Sequence, residues 1–331
     1  MNYNQEPETI NLENSVTVHR DVSQRLEKFA YVDKETFKET LGKPPRFFRA
    51  STAMKWTLLL FHLLLALNLR RLGSRKRGSL AAWFLMQVGV HAGYHRYFTH
   101  RSFRTHPWFE FVLGCAGCLA FQNGPLWWAS KHRHHHRHTD TGEDLHSPTK
   151  GFWHSHLGWF WSQEAEDVEE INLKLIPDLL RPIPMWIESH QAWLNCFYVS
   201  ATLLIGGWRG LLSWCVLPVV LCWHTTFATN SVCHTLGSHP QSCYPRDSCL
   251  ARNNFLIAIA NLGEGWHNNH HANPSLSHHG FHRWYQLDVI FVILLILEKL
   301  GIVWKLKRKN GASRTQLAAL VKDRQRILVD D

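Results

Sequence analysis

Three histidines in the stretch Leu262-Gly-Glu-Gly-Trp-His-Asn-Asn-His-His-Ala-Asn-Pro274 stand in the order HxxHH: His267, His270 and His271. Positions i, i+3 and i+4 of a helix share one face, so the three imidazoles project into one small volume. Imidazole is the commonest side-chain metal ligand and suits iron, zinc and copper. In a chain with 24 histidines, a His-rich surface loop is the plain alternative. What decides between them is what the rest of the chain brings to the same place.

The pattern returns upstream. His95 and His100 are five residues apart, about 140° around an α-helix, so one of them belongs where a helix ends or bends. Residues 131–138 read Lys-His-Arg-His-His-His-Arg-His, and the frame His132, His135, His136 repeats HxxHH; frames through His134 or His138 stay open on spacing alone. Asn230 and His234 form an i, i+4 pair. Such a set exceeds the four ligands of a tetrahedral zinc site and suits two ions of higher coordination, with a water held through the Asn230 amide in a remaining position. Two redox-active ions close together can take electrons and activate dioxygen against an unactivated C–H bond. Zinc cannot do that redox chemistry.

Apolar residues make up an ordinary 45%, but they are gathered into runs, and the first 50 and last 25 residues are polar. Trp56–Leu69 and Leu80–Tyr94 each fall short of the roughly 20 residues that cross a bilayer; extended at their ends they predict a helical hairpin, with a pair of buried core helices as the alternative. Residues 192–206 and 211–233, split by Gly206-Gly207-Trp208-Arg209-Gly210, predict a second hairpin. Two hairpins deliver all the histidine clusters to one side of a membrane. Residues 108–123, broken by Gly114 and Gly117, read as a helix on or just inside the surface, 289–297 as an amphipathic peripheral helix, and about 19–42 as a helix in the polar arm. Sixteen Trp and a net charge of +10 suit a lipid interface rather than nucleic acid. The basic loop 70–77 is at odds with this layout: the positive-inside rule places it in the cytoplasm, whereas the shared histidine side places it opposite. We follow the histidines. The first 30 residues have no apolar h-region, which predicts no cleavable signal peptide. Eight cysteines show no disulfide-like spacing, the Cys115/Cys118 pair reads as packing, and nothing demands an oxidising compartment.

The boxes HRYFTH, HRHHH, NSVCH and HNNHH, with the flanks GYHR, FQN, DTGEDLHSP and GEGWHNNHH, resemble the membrane fatty-acyl desaturases of the acyl-CoA (stearoyl-CoA) type from about residue 50 to 305, closer to bacterial than to animal members. The resemblance implies an all-α integral membrane protein. It has a polar arm (1–50), four spans (about 52–70, 79–97, 191–207 and 211–232), a cytosolic helical cap (98–190 and 234–305) and a polar tail (306–331). Both termini and all boxes are cytosolic, in a bacterial inner membrane or in endoplasmic reticulum. It implies a di-iron centre held by His95, His100, His132, His135, His136, His234, His267, His270 and His271, with Asn230 acting through a water. Gln122, Asn123, Trp128 and Phe227 fall at positions along the acyl chain. The implied reaction is O2-dependent insertion of a cis double bond, at delta-9, into an acyl-CoA or another acyl thioester or lipid. A separate electron donor is implied, cytochrome b5 or ferredoxin with its reductase, since no His-Pro-Gly-Gly motif of a fused cytochrome b5 is present. Lys131, Gly124 and Phe227 depart from the family pattern, which bears on headgroup recognition. A related di-iron hydroxylase or alkane monooxygenase shares these spacings; a His-rich membrane metal carrier is the non-enzyme alternative. His146, Glu264 and Trp266 are expected beside the ligands rather than among them.

Overall fold

The computed structural model describes residues 50–68, 76–162, 171–243, 247–281 and 283–309. The polar arm with its expected 19–42 helix, most of the basic loop 70–77, the acidic run 164–170 and the tail beyond 309 lie outside the described residues.

Helix α1 (Ala50–Asn68) is a run of Leu, Ala, Met and Phe without Gly or Pro, residues that lose little on entering a helix. It buries Met54, Leu58 and Phe61 and turns Leu59, Leu60, Leu63 and Leu67 outward. Helix α2 (Lys76–Val88) runs on into Gly89–Thr99, which is wound as a π-helix. Gly89 allows this segment to lie against α3 (Pro107–Cys118): a Cβ there would stand 2.3 Å from the Ala116 carbonyl carbon. The segment 108–123 thus lies just inside the surface, with Leu113, Ala116 and Cys118 buried and Trp108, Phe111 and Val112 exposed. Cys115 and Cys118 are free thiols, and Tyr94 donates to Cys118 Sγ at 3.1 Å.

Helix α4 (Pro125–His138) starts with Pro at its first position, where the missing N–H costs nothing. Its N-terminus is held from another helix, since Leu126 N and Trp127 N donate to Glu188 Oε2 at 2.7 and 3.3 Å. A carboxylate is favoured at that end of the helix dipole. After the short α5 (Phe152–His156) come α6 (Pro182–Gly210) and α7 (Leu217–Ser231), joined through a π-turn at Leu211–Val216. Gly207, at φ 61° and ψ −163°, is the non-helical residue that folds the two arms antiparallel. Tyr198 Oη donates to Trp214 O across the fold. Trp208 Nε1 donates to Asn68 Oδ1 at 3.2 Å, so the C-terminal end of α1 meets the tip of this hairpin. The histidine-bearing ends of the π segment and of α7 lie at the other end.

Pro182–His234, 53 residues long with a stretch of mean hydropathy 1.6 inside it, is the one among the described residues that is long and apolar enough to cross a membrane. At about 1.5 Å per residue it exceeds one crossing, in keeping with its folding as two arms. Met54–Asn68 is a shorter apolar helix, so length alone supports the second expected hairpin and not the first. Leu204 (84% exposed), Ile205 (80%), Phe197 (74%) and Leu67 (73%) face outward, an apolar surface that a water-exposed monomer rarely carries.

The remaining helices are α8 (Phe255–Ala260), α9 (His267–Ala272) and α10 (Val289–Lys299); α10 buries Ile290, Phe291 and Leu294 and exposes Ile296, so it is apolar on both faces. A two-residue antiparallel ribbon, β1 (Arg104–Thr105) with β2 (Val303–Trp304), ties the start of the cap to its end. One expectation is corrected: Cys243 and Cys249 are joined as a disulfide. The loop between α7 and α8 folds back and brings two cysteines together whose spacing had no signal of its own.

Candidate metal centre

His95 lies in the π segment and His100 immediately after it. His100 N donates to His95 O at 3.1 Å, an i→i+5 bond of the kind that defines π winding. The wide turn therefore cancels the 140° offset of an α-helix, and the two rings stand 4.8 Å apart. His132, His135 and His136 come from the last turns of α4, His234 from the turn ending α7, and His267, His270 and His271 from α9.

The nine rings converge in two groups. His95, His100, His132, His136 and His270 form one; His135, His234, His267 and His271 form the other; within each group the donor atoms lie within 4.8 Å of one another. Each HxxHH box serves both. On α4 the i, i+4 pair goes to the five-histidine group and the middle residue to the other; on α9 the assignment is reversed. One helical step of about 100° separates neighbouring residues, so adjacent histidines point into adjacent sites. The rings of His136 and His271 stack at 4.4 Å where the groups meet. The frame left open by spacing is settled by position: His134 Nε2 donates to Glu143 O at 2.9 Å and His138 pairs with Glu143 at 3.0 Å, both away from the groups.

Carboxylates orient three of the rings. Glu264 Oε2 stands 2.7 Å from His95 Nδ1, Asp144 Oδ2 2.9 Å from His135 Nδ1, and Asp140 Oδ2 2.9 Å from His234 Nδ1. Each carboxylate fixes the proton on Nδ1 and leaves the Nε2 lone pair facing inward, the usual support of a metal-bound imidazole. Facing Nε2 atoms then approach closely: His95 to His270 at 3.1 Å, His270 to His136 at 2.9 Å, His267 to His234 at 3.0 Å and His135 to His271 at 3.3 Å. His100 Nε2 is buried without a partner. Neutral imidazoles have too few protons to bridge all these lone pairs, and a cation in each group satisfies them. The donor set of five and four imidazole nitrogens therefore fits two ions, and iron is among those that imidazole suits.

Glu264 is itself held by Arg96. The Arg96 guanidinium, fully buried, donates to Glu264 Oε1 at 2.8 and 3.2 Å, to Asp288 Oδ1 at 3.0 Å and to Ser277 O at 2.8 Å. His279 Nδ1 lies 3.3 Å from Glu264 Oε2, while its Nε2 is buried without a partner. Burial alone would raise the Glu264 carboxyl, but His279, Arg96 and His95 outweigh it and hold it well below the usual carboxylate range. Burial pushes His132, His136, His267, His270 and His271 well below the ordinary histidine value, so they stay neutral and able to ligate. For His135, burial is outweighed by Asp144, which raises it. Asp140, Asp144, Arg96, His279 and Asp288 were not assigned from sequence. The DTGED run after the second box was the visible signal for the first two.

His146 sits beside the centre as expected, with Nδ1 3.6 Å from Asp144 Oδ1 and its ring 4.4 Å from His135. Trp266 is buried and donates to Leu287 O at 2.9 Å. A cavity against His132 is lined by Gln122, Trp128, Thr226, Phe227 and Asn230. Its polar wall is linked: Trp128 Nε1 donates to Gln122 Oε1 at 3.2 Å, and Gln122 Nε2 donates to Thr226 Oγ1 at 3.1 Å. Asn123 lies outside this wall, with its amide 3.8 Å from Met54 Sδ.

The family model described as fatty acid desaturase matches residues 77–289. The chain is 35% identical over 226 residues to an sn-2 palmitoyl-lipid 9-desaturase of Nostoc sp. (strain 36), covering 67% of this chain and 78% of that one. It is 32% identical over 241 residues to an icosanoyl-CoA 5-desaturase of Limnanthes douglasii, covering 70% and 64%. It is 35% identical over 225 residues to the chloroplast protein of Arabidopsis thaliana named "Probable lipid desaturase ADS3.2"; the match spans 68% of this chain and less than two thirds, 61%, of that protein.

Proposed function

Because the chain belongs to the fatty acid desaturase family, we propose that it is an O2-dependent fatty acyl desaturase. It removes two vicinal hydrogens from a saturated acyl chain and leaves a cis double bond, at delta-9. The balance is R–CH2–CH2–R′ + O2 + 2 e− + 2 H+ → R–CH=CH–R′ + 2 H2O, with both electrons from a separate donor, cytochrome b5 or a ferredoxin with its reductase. Two irons, held by the five- and four-histidine groups with Asn230 reaching one of them through a water, would supply the oxidising power when bound. The observation that supports this reading is the convergence of nine buried or half-buried histidines into two adjoining groups, each HxxHH box split between them.

The chain's own residues supply geometry. Gln122, Trp128 and Phe227 line a cavity that opens onto His132, and a rigid wall there fixes which C–C bond faces the centre. A closed apolar site also keeps water from the oxidant. The fold sits in the bilayer as two hairpins with boxes and termini on the cytosolic face. The relatives' names include both acyl-lipid and acyl-CoA substrates and both 9- and 5-positions; for this chain we propose an acyl thioester or lipid-linked acyl group.

The test is expression in a host lacking its own desaturase, with double bonds localised by mass spectrometry and lipid classes separated to identify the carrier. A delta-9 unsaturated acid is expected. A hydroxylated acid in its place favours the hydroxylase or monooxygenase alternative. Iron-loaded protein with no new product contradicts the proposal, and freely exchanging metal with no product favours a carrier.

A further inference from the structure

The loop from the end of α7 to the start of α8 touches the four-histidine group twice. Before its disulfide, Gln241 N and Nε2 donate to Asn268 Oδ1 and Asn269 Oδ1, each at 3.0 Å, and Asn268 Nδ2 returns a bond to Gln241 O at 2.9 Å. These bonds grip α9 between His267 and His270. After its disulfide, Leu250 N donates at 2.7 Å to Asp140 Oδ2, the oxygen that also orients His234 at 2.9 Å. Cys243 is two residues beyond the first anchor and Cys249 one residue before the second. Both are buried, at 4% and 6% exposed, while Ser238, Ser242 and Asp247 around them are exposed. Four of the five histidines in the other group, His95, His100, His132 and His136, stand on elements these anchors do not bind.

We propose that the Cys243–Cys249 disulfide is a redox-sensitive clamp on the four-histidine site. This rests on the reading that the histidine groups hold iron, and it takes its regulatory sense from the cap lying in the cytosol, where disulfides are normally kept reduced. The reductant is a dithiol. Its thiolate attacks one cysteine sulfur, breaking the S–S bond and forming a mixed disulfide; its second thiol then displaces the protein sulfur. The products are two cysteine thiols and the reductant's own disulfide, so two electrons and two protons pass from the dithiol to the protein. Opening the ring uncouples Cys243 from Cys249 and so loosens the two anchors beside them. The Leu250–Asp140 and Gln241–Asn268 bonds lose their preorganisation, and the four-histidine site gives up its ion more easily than its neighbour.

The experiment uses the iron-loaded full chain with a soluble iron chelator, before and after dithiothreitol. Iron per chain is counted by mass spectrometry, the two sites are separated by Mössbauer spectra, and free thiols are titrated. With the disulfide closed, both ions should be retained. With it open, one of the two should leave about 10–100-fold faster, the range for losing support around a ligand. The double variant Cys243→Ser, Cys249→Ser should lose that ion at the fast rate with or without dithiol, which separates opening of the ring from any direct action of the thiol on iron. If that variant does not fold, the two states of the wild-type protein decide the matter. Leu250→Pro removes the donor to Asp140 without touching the sulfurs and should loosen the same ion. Equal loss rates in the closed and open forms would overturn the clamp while leaving the iron reading intact. No iron in either form would overturn the iron reading itself, and the clamp with it.

Discussion

The two halves of the histidine cluster solve one problem in different ways. Each must present neutral imidazoles with lone pairs aimed inward. The five-histidine group is steadied by a buried ion network, in which Arg96 links Glu264 and Asp288 and Glu264 orients His95. That network joins the π segment to the cap across more than 160 residues, so it belongs to the fold as much as to the site. The four-histidine group relies on Asp140 and Asp144 of one turn, braced by a surface loop. The same ligand chemistry thus rests on a global scaffold in one half and a local one in the other, and damage to the two should read out differently.

The largest expected effect falls on both halves alike. His267→Ala, in the four-histidine group, should abolish product and cost iron while the protein still partitions with membranes; retained activity would remove His267 from the ligand set. Next comes the network. Glu264→Gln takes one carboxylate from a buried guanidinium, a loss of about 3 kcal/mol by analogy with broken buried pairs. It should lower both thermal stability and iron content. Asp140→Asn sharpens the contrast: a drop of roughly 10–100-fold in iron affinity with little change in the melting temperature of the metal-free protein. Equal destabilisation by the two substitutions would erase the distinction between global and local scaffolds.

Acid should act on both halves in the metal-free protein. Burial holds His132, His136, His267, His270 and His271 well below the ordinary 6.5. The unfolded chain therefore takes up protons that the native state refuses, and stability present above pH 6.5 is lost as pH falls toward the depressed values. Asp144, which burial would raise but His135 and His146 pull far down, adds a loss in the same direction only at lower pH, as pH falls through the ordinary 3.8. His135, raised by Asp144, opposes it in part. The melting temperature of metal-free protein should fall from pH 7 to pH 5; a flat profile would contradict burial of neutral imidazoles. The smallest effect is expected outside the centre. Phe227→Leu in the cavity wall should cost about 1 kcal/mol of packing and shift the product distribution among chain lengths, with iron unchanged.

The convergence of the histidines was legible because HxxHH carries helical geometry in its spacing. The second hairpin was legible because Gly206 to Gly210 punctuate an otherwise apolar run, and Gly207 is where the fold turns. The route from His95 to His100 was not, because nothing in the spacing separates π from α winding over Gly89–Thr99. Glu264 was legible as a neighbour of His267, and Asp140 and Asp144 lay in the DTGED run, but which histidine each carboxylate orients was hidden. Asp144 lies nine residues from its histidine, but Asp140 lies 94 and Glu264 169 from theirs, and charge pairing at such range leaves no periodic trace. The disulfide was invisible because its two cysteines are brought together by a loop anchored at Gln241 and Leu250, not by any repeating spacing.

The proposal that the two histidine groups hold two irons is tested most directly by metal analysis of the purified protein. Iron per polypeptide, measured by mass spectrometry alongside zinc and copper, should be two, falling when either His267 or His270 is replaced by alanine. Zinc in place of iron, or a wild-type chain that binds a single ion or none, would contradict it.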